Sequence, residues 1–208
     1  MNYYLLFYFI LLIFLEIKIP KYKNIHLTSL LHSTIVGCST NYLLITDFDR
    51  FTNIFKYDLE ETNYLYYYIP YYSLLYSLID INESFKMQSN IFIFHGTMMF
   101  FCLSFCIFYG LNHYLTTALI LEVSTIFYNF ISYNNFICNL LFGLSFLFYR
   151  NIVFFLICIN YIIFYYKNSL YNNLTDNVII ASVISFNCLN FYWGKKLIRK
   201  MLKINKNL

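Results

Sequence analysis

Long apolar runs separated by short polar breaks set the organisation of this chain. Stretches dominated by Leu, Ile, Phe and Tyr occupy about residues 2–17, 25–46, 64–82, 91–109, 115–132, 137–166 and 178–196. A bilayer core of about 30 Å is crossed by roughly 20 mostly apolar residues in a helix, and backbone groups in hydrocarbon must bond within their own segment. Seven transmembrane helices are therefore predicted. The sixth run is long enough for a strongly tilted helix, or for one with an interfacial extension. The pattern shows neither an internal repeat nor a second domain.

Composition strengthens this reading. With 60% hydrophobic and 12% charged residues and a mean hydropathy of +0.58, the chain lacks the polar side chains to cover a soluble globule. The six cysteines, Cys38, Cys102, Cys106, Cys138, Cys158 and Cys188, all fall in predicted spans without zinc-ligand spacing, so they read as small packing residues. No metal and no cofactor is predicted. Neither a phosphate-cradling Gly-rich loop nor a nucleic-acid surface is present, and membrane lipids are the expected partners. A second copy or another membrane protein stays open as a partner.

Charge sets the expected orientation, because Lys and Arg are retained on the cytosolic side. With seven spans and an outward N-terminus, that side holds Lys18, Lys21, Lys23, Lys86, Lys195, Lys196, Arg199, Lys200, Lys203 and Lys206, and the opposite side only Arg50, Lys56 and Lys167. The N-terminus is expected outside and the C-terminus inside. Residues 1–24 read as an anchor and loop, since no positive segment precedes the first run. Residues 201–208 read as a basic tail able to rest on anionic lipid. The loop at 47–63, with five acids and two bases, reads as a solvated connector on the outer side. Asn173-Leu-Thr175 is a glycosylation sequon on that side, and Asn82-Glu-Ser84 one on the cytosolic side.

Polar residues inside the spans are few and each is expensive in lipid, by roughly 2–3 kcal/mol or more, unless it faces the bundle or water. They are Ser29, His32, Asp80, His95, Glu122, Ser124, Thr125, Asn129, Arg150, Asn187 and Asn190. Glu122, Thr125 and Asn129 stand at i, i+3 and i+7, as do Asn187, Asn190 and Gly194, which puts each set on one helix face. Under the expected topology Ser29, His32, Asp80, His95, Asn129, Asn190 and Trp193 lie in the cytosolic half, with Glu122 and Arg150 deeper. One polar chamber open to the cytosol is predicted. Equal depth suggests Glu122 and Arg150 as a buried ion pair.

These residues also carry a family resemblance. "SLLHS" at 29–33, "LLYSLID" at 74–80 with Tyr76 and Asp80, "FIFHG" at 92–96, "LEVSTIFYN" at 121–129, Arg150 after an aromatic run and "LNFYW" at 189–193 stand in the order of motifs in the TLC domain, the membrane family of TRAM, Lag1 and CLN8 proteins. The resemblance covers about residues 25–200. It implies an all-α membrane fold in which six of the seven helices form the TLC-type bundle, and a place in the endoplasmic reticulum. Three departures stand out: Gly96 where the family has a second histidine, Ile126 where it has Pro, and Ile131 where an Arg often follows the Asn. The chain thus looks closer to the short TLC-domain proteins linked to membrane lipid composition than to the ceramide synthases.

Two functions follow. In the first, the chamber binds, senses or handles lipids and contributes to membrane lipid homeostasis through Ser29, His32, Tyr76, Glu122, Asn129, Arg150, Asn190 and Trp193. In the second, a ceramide-synthase-like N-acyltransferase uses His95 as base and Asp80 as its orienting carboxylate, with acyl-CoA as co-substrate and a sphingoid base as acceptor. The plainer alternative for His95 and Glu122 is hydrogen bonding that fixes helix packing.

Overall fold

The computed structural model describes residues 7, 10–11, 27–57, 63–88, 90–131 and 135–204. The expected anchor and its following loop therefore lie outside the described residues, apart from Phe7, Ile10 and Leu11. The order is α1 (Leu27–Thr46), α2 (Phe48–Thr52) with a 3-10 turn at Ile54–Lys56, α3 (Tyr64–Lys86), α4 (Asn90–Phe108), α5 (Asn112–Ala118), a 3-10 turn at Leu119–Leu121, α6 (Glu122–Tyr128), α7 (Phe136–Ser145), a π-helical stretch Phe146–Val153, α8 (Phe154–Lys167), a 3-10 turn at Leu170–Asn172 and α9 (Leu174–Ile204). Among the described residues 91% are helical and none is in a strand.

Among the described residues, three helices are long and apolar enough to cross a membrane: Asn90–Phe108, Phe136–Lys167 and Leu174–Arg199. Their outer faces carry exposed Ile91, Phe94, Phe101, Phe108, Phe148, Ile152, Phe155, Ile184 and Phe191, a cladding that suits hydrocarbon and not water. The other expected spans coincide with helices of different character. α1 packs against α3, α6 and the 3-10 turn at Leu119–Leu121, and it buries Thr28, His32, Ser33 and Thr40 among its neighbours, so its polar content costs little. α3 owes its lower hydropathy to its many tyrosines. The run expected to form one helix at 115–132 is broken into α5, a 3-10 turn and α6, and Asn129 caps it.

Two local features show how the bundle satisfies its backbone. Pro70 lies inside α3 and has no N–H to give the Tyr66 carbonyl. Thr116 Oγ1, from α5, donates to that carbonyl at 2.7 Å instead. α4 ends at Gly110, whose φ of +71° lets Leu111 N–H reach the Cys106 carbonyl at 2.7 Å and its own N–H the Ile107 carbonyl at 3.2 Å, closing the helix in a Schellman turn.

The apolar core extends from the end of the bundle where α1 stops and α3 starts, around Leu43, Phe51, Ile54, Phe55, Tyr66 and Tyr161, to Val36, Ile120, Val123 and Val153. This corrects the expected solvated connector, at least over 51–55. Phe51, Ile54 and Phe55 are buried, Phe55 packs against Tyr161 and Phe164, and the Thr52 carbonyl accepts from Asn160 Nδ2 at 3.1 Å. The i, i+3, i+4 spacing of the three apolar residues outweighs the neighbouring charges. Residues 58–62 of that loop are not described. The six cysteines are free thiols, buried at Cys106 and Cys158 and exposed at Cys38 and Cys188.

Candidate functional site

At the opposite end of the bundle, the start of α1, the end of α3, the start of α4, α6, the π-helical stretch and the second half of α9 enclose a cavity of about 530 Å3. Its wall includes Ser29, His32, Ser73, Tyr76, Asp80, His95, Glu122, Thr125, Arg150, Trp193 and Lys196. Eight of the ten residues singled out in the sequence therefore face one space. The other two do not line it. Asn129 is buried and turns back to donate to the Thr125 carbonyl at 2.8 Å. Asn190 is buried at 2% exposure, with an Nδ2 that has no hydrogen-bond partner.

Close backbone contacts hold the wall in place. A Cβ at Gly37 would stand 3.0 Å from Val123 N and 3.2 Å from Glu122 C, so the missing side chain lets α1 press onto α6 where Glu122 begins it. A Cβ at Gly96 would meet Asp80 Oδ2 and Ile81 Cγ1, each at 3.1 Å. Position 96 therefore faces α3, not the cavity. The absence of a second histidine there is a packing feature of the α3–α4 contact.

The polar groups form small clusters. His32 stacks on Tyr76, with ring centroids 4.1 Å apart and planes 7° from parallel, and Asp80 lies one turn further along α3. His95 meets Trp193 and Phe186 edge-on at 5.6 and 6.1 Å, and its Nδ1 has no hydrogen-bond partner. Asp80 and His95 share the cavity without a hydrogen bond between them.

Arg150 departs most from expectation. Its Nε donates to Ser124 Oγ at 2.7 Å and its Nη2 to Thr125 Oγ1 at 3.2 Å, and the guanidinium lies 5.2 Å from the Phe146 ring centroid. Glu122 lies one turn before Thr125 at the start of α6. The expected ion pair between Glu122 and Arg150 is not formed: Arg150 donates to the two hydroxyls instead, and no described carboxylate comes within ion-pair distance of it. Sequence reasoning gave Ser124 no part in this, since on a regular helix it lies off the face of Glu122 and Thr125. The π-helical winding around Arg150 was equally hidden in the sequence. Such wide turns recur at functional sites.

A second cavity of about 280 Å3 adjoins the first. Apolar side chains dominate its wall, among them Leu103, Phe105, Leu115, Leu119, Phe154 and Ile179. His95, Met99, Glu122 and Arg150 line both spaces, so an apolar pocket and a polar one meet at a histidine, a carboxylate and a guanidinium.

Apolar helices around a partly polar interior define an integral membrane protein, and the order of its motifs narrows the class. Residues 23–199 match the TLC domain of TRAM, Lag1 and CLN8 proteins, and the chain belongs to that family, whose members are generally membrane proteins linked to lipid metabolism. Neither the curated proteins nor the solved structures include a match to it.

Proposed function

We propose that this chain binds and handles a membrane lipid, holding its hydrocarbon chain in the apolar cavity and its polar part in the larger one, and so contributes to membrane lipid homeostasis. The observation that carries the reading is the junction: His95, Met99, Glu122 and Arg150 belong to both walls, as an amphipathic ligand requires. The proposal includes seven crossings, with the polar cavity open to the cytosol, the N-terminus lumenal and the C-terminus cytosolic in the endoplasmic reticulum. It also includes kinship with the short TLC-domain proteins. Eight polar or ionisable residues gathered at one end of the bundle fit such a chamber, and Lys195, Lys196 and Arg199 near the same end fit a cytosolic rim.

The N-acyltransferase reading is less well supported. A general base needs its proton handled by an oriented partner, whereas His95 Nδ1 is unpartnered and no hydrogen bond joins His95 to Asp80. The test is lipid mass spectrometry on cells expressing wild type, His95→Ala and Glu122→Gln at matched levels. One lipid species is expected to rise with wild type and with neither variant. Identical profiles in all three would overturn the proposal, and an amide product formed from acyl-CoA and a sphingoid base would exchange it for the enzyme.

A further inference from the structure

Resting on that lipid-binding reading, we infer that Arg150 anchors an anionic oxygen group of the bound lipid, a phosphate or a carboxylate, at the junction of the two cavities. A guanidinium carries five N–H donors in a rigid fork, of which Nε and one N–H of Nη2 are engaged by Ser124 and Thr125. The remaining donors belong to a group that lines both cavities. Both engaged partners are neutral hydroxyls. Glu122 shares the junction, but no described carboxylate comes within ion-pair distance of Arg150.

A charge removed from bulk water is costly until an opposite charge or a dense set of hydrogen bonds meets it. Water can fill the donors of the fork and leaves the charge unmatched. Planar, two-point binding of carboxylate or phosphate is the task to which guanidinium is better fitted than ammonium. The two hydroxyls, themselves part of the larger cavity's wall, fix the fork at Nε and Nη2 and leave Nη1 and the second N–H of Nη2 preset for an anion. Position then orients the lipid. An anion held at Arg150 has the apolar cavity on one side for its chain and the polar cavity, with Asp80, Tyr76, His32 and Lys196, on the other for whatever lies beyond it.

The experiment uses the full chain in detergent micelles and three probes with the same oleoyl chain: oleate, monooleoyl lysophosphatidate and the neutral monoolein. Binding is measured by native mass spectrometry for wild type, Arg150→Gln and Arg150→Lys. Wild type is expected to bind at least one anionic probe about tenfold or more tightly than monoolein, the scale of a charge-assisted contact. The tighter of the two identifies carboxylate or phosphate as the source. Arg150→Gln is expected to erase the preference while monoolein binding persists, and Arg150→Lys to keep part of it. Equal binding of all three probes to wild type overturns the inference and leaves the lipid reading standing, as does a preference that survives Arg150→Gln. Failure of every probe to bind wild type overturns both. Because the ranking of probes on wild type decides the question by itself, a variant that fails to fold does not shelter the inference.

Discussion

At residue 96 the structure changes what a departure from the family means. The missing second histidine reads in the sequence as a vacancy in a catalytic pair, yet the space a side chain would need there is filled by Asp80 and Ile81 at 3.1 Å. Gly96→His is therefore expected to lower stability by about 1–3 kcal/mol, the ordinary cost of overpacking, and to gain no acyl transfer. A fall in the thermal unfolding midpoint together with absent amide product checks both halves; an unchanged midpoint would show that position 96 opens to the cavity after all. Sequence reasoning singled out residues of one cavity wall because ionisable residues in apolar runs are conspicuous: Asp80, His95, Glu122 and Arg150 all line it. It missed their partners because a hydroxyl in such a run is ordinary. Ser124 gains its part only through the reach of an arginine on another helix, and Asn129, on the expected polar face, satisfies itself on the preceding turn.

Elements show the same division between what is local and what is not. The ends of α1, α3 and α4 fall within a few residues of their apolar runs, and α9 extends beyond its run at both ends, because length and polarity are written locally. The break at Leu119–Leu121 and the π-helical stretch are not; each depends on packing against other helices. The Pro70 bond is a further case. Pro70 frees the Tyr66 carbonyl, and Thr116, fifty positions along the chain from Tyr66, fills it at 2.7 Å. Both Tyr66 and Thr116 are fully buried, so water offers no substitute. Thr116→Val is expected to cost about 1–3 kcal/mol by stranding a buried carbonyl. The pairing makes a sharper test than the single change. In Pro70→Ala, residue 70 regains an N–H within reach of Tyr66, so Thr116→Val introduced into that background is expected to cost less, and a double-mutant cycle of unfolding free energies measures the difference. Strict additivity would detach the hydroxyl from the proline.

Over the whole molecule, the fold divides its labour between two ends. An aromatic core built on Phe51, Ile54, Phe55, Tyr66 and Tyr161 closes one end of the bundle, and the polar cavity occupies the other. The apolar cavity shares Leu103, Leu119 and Ile179 with that core, so under the proposed function a lipid chain held there lies against it. Met99 is the one residue common to both walls that carries neither charge nor imidazole. Its thioether chain is flexible and fills irregular space, which makes it the place to obstruct the junction without altering electrostatics. Met99→Trp is expected to fill the passage, leaving the hydrogen bonds of Arg150 to Ser124 and Thr125 in place. Lipid retained through purification, counted by mass spectrometry per mole of protein, should then fall several-fold, by roughly the tenfold that 1.4 kcal/mol of lost affinity represents. The unfolding midpoint of the lipid-stripped protein should stay near that of wild type, while the rise that added lipid gives wild type should shrink. Full retention of lipid by Met99→Trp would mean that the two cavities serve different ligands, and the shared wall of His95, Glu122 and Arg150 would then be a partition between them.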